Sequence, residues 1–139
     1  MDRALLDTDI FSEVLKSKNQ NVVRNAAAYR QRFGCYTLSA VTIAEMVKGF
    51  QKMGREDRIQ TLIAGLTAEE ILPLDYDSAI IGGKIYGELE KSGKTIGRAD
   101  PLIAGIALHH RLTLITGNAK HFERIIALGF PLAIRDWRD

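Results

Sequence analysis

The sequence predicts an α/β fold in three layers, α/β/α, around a parallel sheet of four to five strands. Short apolar runs recur at residues 3–6, 35–38, 70–74 and 112–116. The stretches between them carry the i, i+3, i+4, i+7 apolar spacing of helices. Short apolar runs that alternate with helices, rather than following one another, read as neighbouring parallel strands covered on both faces.

The first strand closes with Leu5-Leu6-Asp7-Thr8-Asp9-Ile10, an apolar run that delivers carboxylates to the edge of a sheet. Ile10, Val14 and the pair Phe11, Leu15 then give a helix, with Asp9 placed as its N-cap. Residues 21–33 form a second helix, with Val22, Val23, Ala26 and Ala27 on its apolar side and Gly34 as C-cap. Cys35 opens the second strand as a small core residue. Ser39 or Thr42 starts a third helix whose stripe is Ile43, Met46, Val47 and Phe50, with Glu45 projecting away from it.

A fourth helix spans residues 55–66 and a third strand 70–74. Asp75 or Asp77 caps a helix reaching Glu90. Its Gly82-Gly83 pair costs about 1 kcal/mol per Gly in a helix, which predicts close packing on a neighbour. After a polar loop at 92–98, Asp100-Pro101 reads as N-cap and first residue of an apolar helix over 102–108. His109-His110 end that helix beside its terminal carbonyls. A fourth strand at 112–116, a helix at 119–128 and a short strand at 132–134 complete the chain. With no repeat and no linker, residues 1–139 read as one domain.

Composition narrows the class. At 46% hydrophobic and 26% charged residues, the chain has the balance of a soluble globular protein. The single Cys35 rules out an internal disulfide or a thiolate metal cluster and suits a reducing cytoplasm. The longest apolar run, 101–108, is far short of the roughly 20 residues of a membrane span. Residues 1–3 lead straight into a strand, which leaves no room for a signal peptide. A net charge of +2, spread along the chain, permits contact with a polyanion without demanding it.

In open parallel sheets the active crevice lies beyond the carboxyl ends of the strands, where strand order reverses. Right-handed crossovers place Asp7, Glu45, Asp100 and Asn118 along that edge. Local roles compete: Asp7, Asp9 and Asp100 are good caps, and Glu45 could close a capping box with Thr42 or pair with Lys48. Clustered carboxylates repel one another, so a site built from them calls for a cation. Oxygen donors without Cys or a spaced His pair favour Mg2+, with Mn2+ as a substitute. Such a cation supports attack of water on a phosphodiester.

Four strings now stand in order: Leu5-Leu6-Asp7-Thr8-Asp9-Ile10; residues 39–49 with Glu45; Ile96-Gly97-Arg98-Ala99-Asp100-Pro101-Leu102-Ile103-Ala104; and residues 112–118 with Phe122-Glu123-Arg124. Together with the ending Ile134-Arg135-Asp136-Trp137, they resemble the PIN-domain ribonucleases, specifically the VapC-type toxins, over essentially the whole chain. The resemblance implies a Mg2+-dependent endoribonuclease, the toxin of a type II toxin-antitoxin pair, acting on tRNA or another structured RNA. It implies a homodimer and a VapB-type antitoxin whose tail occupies the active groove. Asp7, Glu45 and Asp100 would be the acidic core, with Asp7 and Asp100 the direct metal ligands and Glu45 orienting or deprotonating the attacking water.

The chain departs from the pattern after strand four. Relatives often carry a fourth acid there, where this sequence has Asn118 and then His121. Asn118 can hold a water but adds no charge, and His121 reads as a surface helix residue. Thr8, Thr116 and Ser39 are placed to hydrogen-bond to the carboxylates. Arg98, Lys48, Lys52, Lys94 and Lys120 are cations available to phosphate. Helix faces around Met46 and Phe50, and around Gly82-Gly83 and Tyr86, offer apolar area to a second copy. Two other functions fit parts of the pattern. Asp7-Thr8-Asp9 matches the Asp-x-Asp opening of haloacid-dehalogenase-like phosphatases, with Asp7 as nucleophile and Asp9 as general acid, but no Gly-Asp pair follows. Asn118 prompts an inactive PIN-like module that binds RNA or protein.

Overall fold

The computed structural model describes residues 1–139 and contains one sheet of five short strands. These are β1 (Ala4–Leu6), β2 (Thr37–Ser39), β3 (Glu70–Leu72), β4 (Thr113–Ile115) and β5 (Ile134–Arg135). Their order is β3-β2-β1-β4-β5 and every neighbouring pair is parallel. The chain builds outward from β1 to β3, then crosses back to lay β4 and β5 on the other side of β1. Strand order therefore reverses between β1 and β4, where Leu5 pairs with Leu114.

Side-chain alternation on β1 divides the core in two. Ala4 and Leu6 face one cluster with Ile10, Phe11, Val22, Tyr29, Leu38 and Trp137, while Leu5 faces another with Ile85, Leu89, Ile103, Ile106 and Phe122. The first cluster is covered by α1 (Thr8–Lys16), α2 (Gln20–Phe33), α3 (Ala40–Lys52) and α4 (Glu56–Leu66), and the second by α5 (Tyr76–Lys91), α6 (Ala99–His109) and α7 (Ala119–Ala127). The three-layer α/β/α expectation holds. Tyr29 shows how a polar atom is carried into such a core: its hydroxyl accepts from Ala4 N at 3.0 Å and reaches Ala4 O at 3.2 Å. No helix is long and apolar enough to cross a membrane.

Several local expectations are corrected. The cap of α1 is Asp7, whose side chain accepts from Thr8 N, and Asp9 sits in the first turn. On α2 the buried face is Val22, Ala26 and Tyr29, while Val23 and Ala27 are exposed, because a 3.6-residue period selects 22, 26 and 29. Cys35 lies ahead of β2 and is half-buried, with Tyr36 taking the core position. Met46 is buried, so that part of the α3 face completes this chain's own core instead of serving a partner. Helix α6 starts at Ala99, so Asp100 lies in its first turn instead of capping it and Pro101 is not its first residue, and Arg98 in the cap position makes no side-chain cap bond. Pro101 is accommodated as the third helical residue because N–H groups in the first turn need no intrahelical acceptor.

The glycine expectation is half right. A Cβ on Gly82 would stand 3.2 Å from the carbonyl oxygen of Pro101, whereas Gly83 faces open space. The matching residue is Gly105, where a Cβ would lie 2.5 Å from the carbonyl oxygen of Ser78. Gly82 and Gly105 let the α5 and α6 backbones touch, and this contact fixes where α6 presents its two ends.

Candidate active site

Asp7 ends β1 at the strand-order reversal and is 2% exposed. Its Oδ1 accepts from Thr8 N at 2.8 Å, and its Oδ2 accepts from the Thr116 hydroxyl at 2.8 Å. Thr116 follows β4 and is itself buried; its Oγ1 also accepts from Asn118 N at 3.0 Å. The two central strands thus contribute an acid and the hydroxyl that holds it. Both threonines act on carboxylates as the sequence suggests.

Glu45 joins through Thr8. The Thr8 hydroxyl donates to Glu45 Oε1 at 2.6 Å and lies 3.1 Å from Thr42 Oγ1, which is also 3.1 Å from Ser39 Oγ. Ser39 Oγ in turn accepts from Thr42 N and caps α3. Glu45 closes no capping box with Thr42. A line of hydroxyls connects the start of α3 to the start of α1 and turns Glu45 toward the edge that carries Asp7.

Asp100, in the first turn of α6, lies close enough for its charge to raise the Asp7 pKa. Burial first, and then the charge of Asp9, push the Asp7 carboxyl up to about 7, against the lowering effect of the Thr116 and Thr8 hydrogen bonds. Asp9 is raised as well, mainly by burial, although the N–H groups of Gly117 and Ile10 and the charge of Arg138 pull the other way. Three acids from two segments share one poorly solvated space.

Asp9, read from the sequence as a cap, has a clamping role instead. Its Oδ2 accepts from Gly117 N at 2.9 Å, and Arg138 Nη2 donates to Gly117 O at 2.9 Å while pairing with Asp136. The loop after β4 is therefore held from both sides. The Asp-x-Asp phosphatase arrangement needs Asp9 free to move a proton, and here its Oδ2 is engaged. Nothing in the sequence pointed to Arg138, which reaches this loop only because β5 lies beside β4.

His121 also departs from expectation: its Nδ1 lies 2.9 Å from Asp100 Oδ2, with the side chain partly exposed. One turn of α7 brings it from beside Asn118 to the start of α6. Asn118 itself is exposed and precedes α7 without a side-chain cap bond. Among the expected phosphate-binding cations, Lys94 and Lys120 line one hollow together with Arg124. Arg98 is exposed in the cap position of α6, two residues before Asp100, while Lys48 and Lys52 are exposed along α3.

The donors at this edge suit a divalent cation. Asp7, Asp100 and Glu45 offer only carboxylate oxygens, and a carboxyl as high as about 7 is one whose ionised form lacks a compensating positive charge. A Mg2+- or Mn2+-sized ion would supply it. A second group, Asp75, His109 and His110, lies at the far end of α6 and is chemically different.

A doubly covered parallel sheet with buried Asp7 at its switch point, and Asp9 and Asp100 acting on it, defines an α/β protein with an acidic strand edge. The PIN domain family matches residues 4–128. The tRNA(fMet)-specific endonuclease VapC of Shigella flexneri is 34% identical over 131 residues, covering 90% of this chain and 93% of that protein. Ribonuclease VapC2 of Haemophilus influenzae is 33% identical over 132 residues, covering 92% and 96%. The structure of DNA-bound VapBC from Salmonella typhimurium superposes with a TM-score of 0.80 at 28% identity, covering 99% of both chains. This chain belongs to the PIN-domain family, as a member of its VapC type.

Proposed function

We propose that this chain is a Mg2+-dependent endoribonuclease, the toxin of a VapBC pair, that hydrolyses phosphodiester bonds of tRNA or another structured RNA at the Asp7 edge. The observation that carries the reading is the buried Asp7 at the strand-order reversal, tied to Thr116 and, through Thr8, to Glu45, with the charge of Asp100 felt at its carboxyl. The names of the Shigella and Salmonella relatives, tRNA(fMet)-specific endonucleases, support the substrate class. Solved VapBC complexes from Salmonella, Rickettsia felis and Haemophilus influenzae support a VapB-type antitoxin as partner. The assembly would contain two toxin chains.

Asp7 and Asp100 would hold the cation, with Glu45 completing the acidic set; Mn2+ can take the place of Mg2+. When bound, such an ion polarises a phosphate oxygen and makes water a better nucleophile near neutral pH. Thr8 fixes one oxygen of Glu45, leaving the other to orient the attacking water and take its proton. Thr116 keeps Asp7 turned into the site. The N–H groups at the start of α7, which has no side-chain cap, favour an anion at the same edge, whereas those of α1 are taken up by Asp7 and Asp9; Lys94, Lys120 and Arg98 extend the track for flanking phosphates. Asn118, at the exposed rim, would contact RNA or water without adding charge.

The test is cleavage of pooled tRNA by wild type and Asp7→Asn, each with Mg2+ and with EDTA. Discrete fragments from wild type with Mg2+ alone support the reading. Fragment ends should be 5′-phosphate and 3′-hydroxyl, whereas a 2′,3′-cyclic phosphate would mean that the RNA 2′-hydroxyl attacks and the scheme is wrong. The exposed, uncharged Asn118 is the one observation on the side of an inactive binding module. Intact RNA at stoichiometric protein and saturating Mn2+ would favour that module.

A further inference from the structure

We propose that Asp75, His109 and His110 form a second cation site, for a borderline transition metal of the Zn2+ class, that ties the start of α5 to the end of α6. The Gly82–Gly105 contact presses these helices together and brings Asp75, at the cap of α5, beside the two histidines that close α6. One donor atom from each of the three residues lies within 4.8 Å of the others.

Asp75 is already fixed. Its side chain accepts from Ser78 N at 2.9 Å through Oδ1, leaving Oδ2 facing His109 Nε2 at 3.7 Å. That separation is too long for a hydrogen bond. It matches the span of two ligands that each sit about 2.0–2.2 Å from a shared ion. Asp77 Oδ2, 4.0 Å from the same nitrogen, is available as a further oxygen donor. His110 supplies an independent sign: its Nε2 is buried with no hydrogen-bond partner, and a buried polar atom left unpaired in a folded protein calls for a partner such as an ion or water.

Donor chemistry separates this site from the acidic edge. Two imidazoles and a carboxylate select Zn2+ and its neighbours, whereas oxygen-only sets select Mg2+ or Mn2+. His109 stands nine residues along α6 from Asp100, about 13 Å at 1.5 Å per residue. An ion there touches no reacting atom at the Asp7 edge. It pins one end of the helix whose other end carries Asp100. The proposal does not rest on the ribonuclease reading.

The experiment uses the full chain without a histidine tag, stripped with EDTA, dialysed, and kept in excess Mg2+ to occupy the acidic edge. Zn2+ is titrated by calorimetry, and Co2+ is followed by its visible absorption. One Zn2+ per chain is expected, with the absorption of a four-coordinate Co2+ centre. His109→Ala and His110→Ala should each weaken binding at least about tenfold, and Asp100→Asn should leave it unchanged. Circular dichroism confirms that each variant is folded, and perturbation of the His109 and His110 ring resonances by Zn2+ gives a readout independent of affinity. No Zn2+ uptake by wild type, or uptake unaffected by both histidine substitutions, would overturn the proposal and leave His109 as an ordinary ion-pair partner of Asp75. Loss in Asp100→Asn alone would place the ion at the acidic edge and overturn it equally.

Discussion

Asp7→Asn should make the metal-free protein more stable at alkaline pH relative to wild type, by an amount that grows with pH. In the unfolded chain Asp7 loses its proton near the usual 3.8, but in the folded chain burial and the charge of Asp9 hold it to about 7. Between those values the unfolded state binds fewer protons, so the folded state loses stability as pH rises, and the loss is complete above pH 7. At 1.36 kcal/mol per unit, ionising Asp7 costs the fold on the order of 4 kcal/mol at pH 8, and less than half of that at pH 5. The amide keeps the shape of the carboxyl but presents an NH2 where an oxygen now accepts from Thr116, a cost of about 1 kcal/mol that does not vary with pH. The informative quantity is therefore the change in the wild-type-to-variant difference between the two pH values, about 3 kcal/mol. Urea melts in EDTA at pH 5 and pH 8 measure it. A difference that is constant with pH, or one that moves in favour of wild type, would refute the burial argument. Mg2+ at a hundredfold excess over its dissociation constant should then return about 2.7 kcal/mol to wild type at pH 8 and little to the variant.

Other perturbations separate positioning from folding. Thr8→Val removes the hydroxyl that orients Glu45 and should slow single-turnover tRNA cleavage about tenfold or more with the fold intact by circular dichroism; an unchanged rate would remove Thr8 from the site. Gly105→Ala drives a methyl to 2.5 Å from the carbonyl oxygen of Ser78 and should cost about 1–3 kcal/mol in urea, while Gly83→Ala, facing open space, should be neutral or stabilise by up to about 1 kcal/mol. Trp137→Ala empties the space beside Tyr29, whose ring centroid lies 5.7 Å away, and should cost about 3–5 kcal/mol in the same assay; a loss below 1 kcal/mol would show that the C-terminal segment is not part of the core.

The sequence by itself determined the architecture and most of the acidic edge. Short apolar runs set between helical stretches leave a signal that needs no partner information, whether fully buried as in β1 and β2 or half-buried as in the edge strand β3, which is why β1, β2, β3 and β4 and the seven helices between and after them stand close to where periodicity places them. The strand-order rule then put Asp7, Glu45 and Asp100 on one edge, and the hydroxyl residues Thr8 and Thr116 were identifiable from their positions just past strands.

Only the tertiary structure decided what each polar group does there. Asp7, Asp9 and Asp100 all look like caps to a local reading; Asp7 does cap α1, but it is also held by Thr116, Asp9 clamps Gly117, and Asp100 meets His121, because those partners arrive from chain segments 109, 108 and 21 residues away. The same holds for Arg138 over the β4 loop and for Gly105, whose Cβ is excluded by a neighbouring helix and by nothing in its own sequence context. Hydrophobic periodicity is a property of one segment and can be read along the chain. A hydrogen bond or a steric exclusion between segments exists only once the sheet has set their spacing.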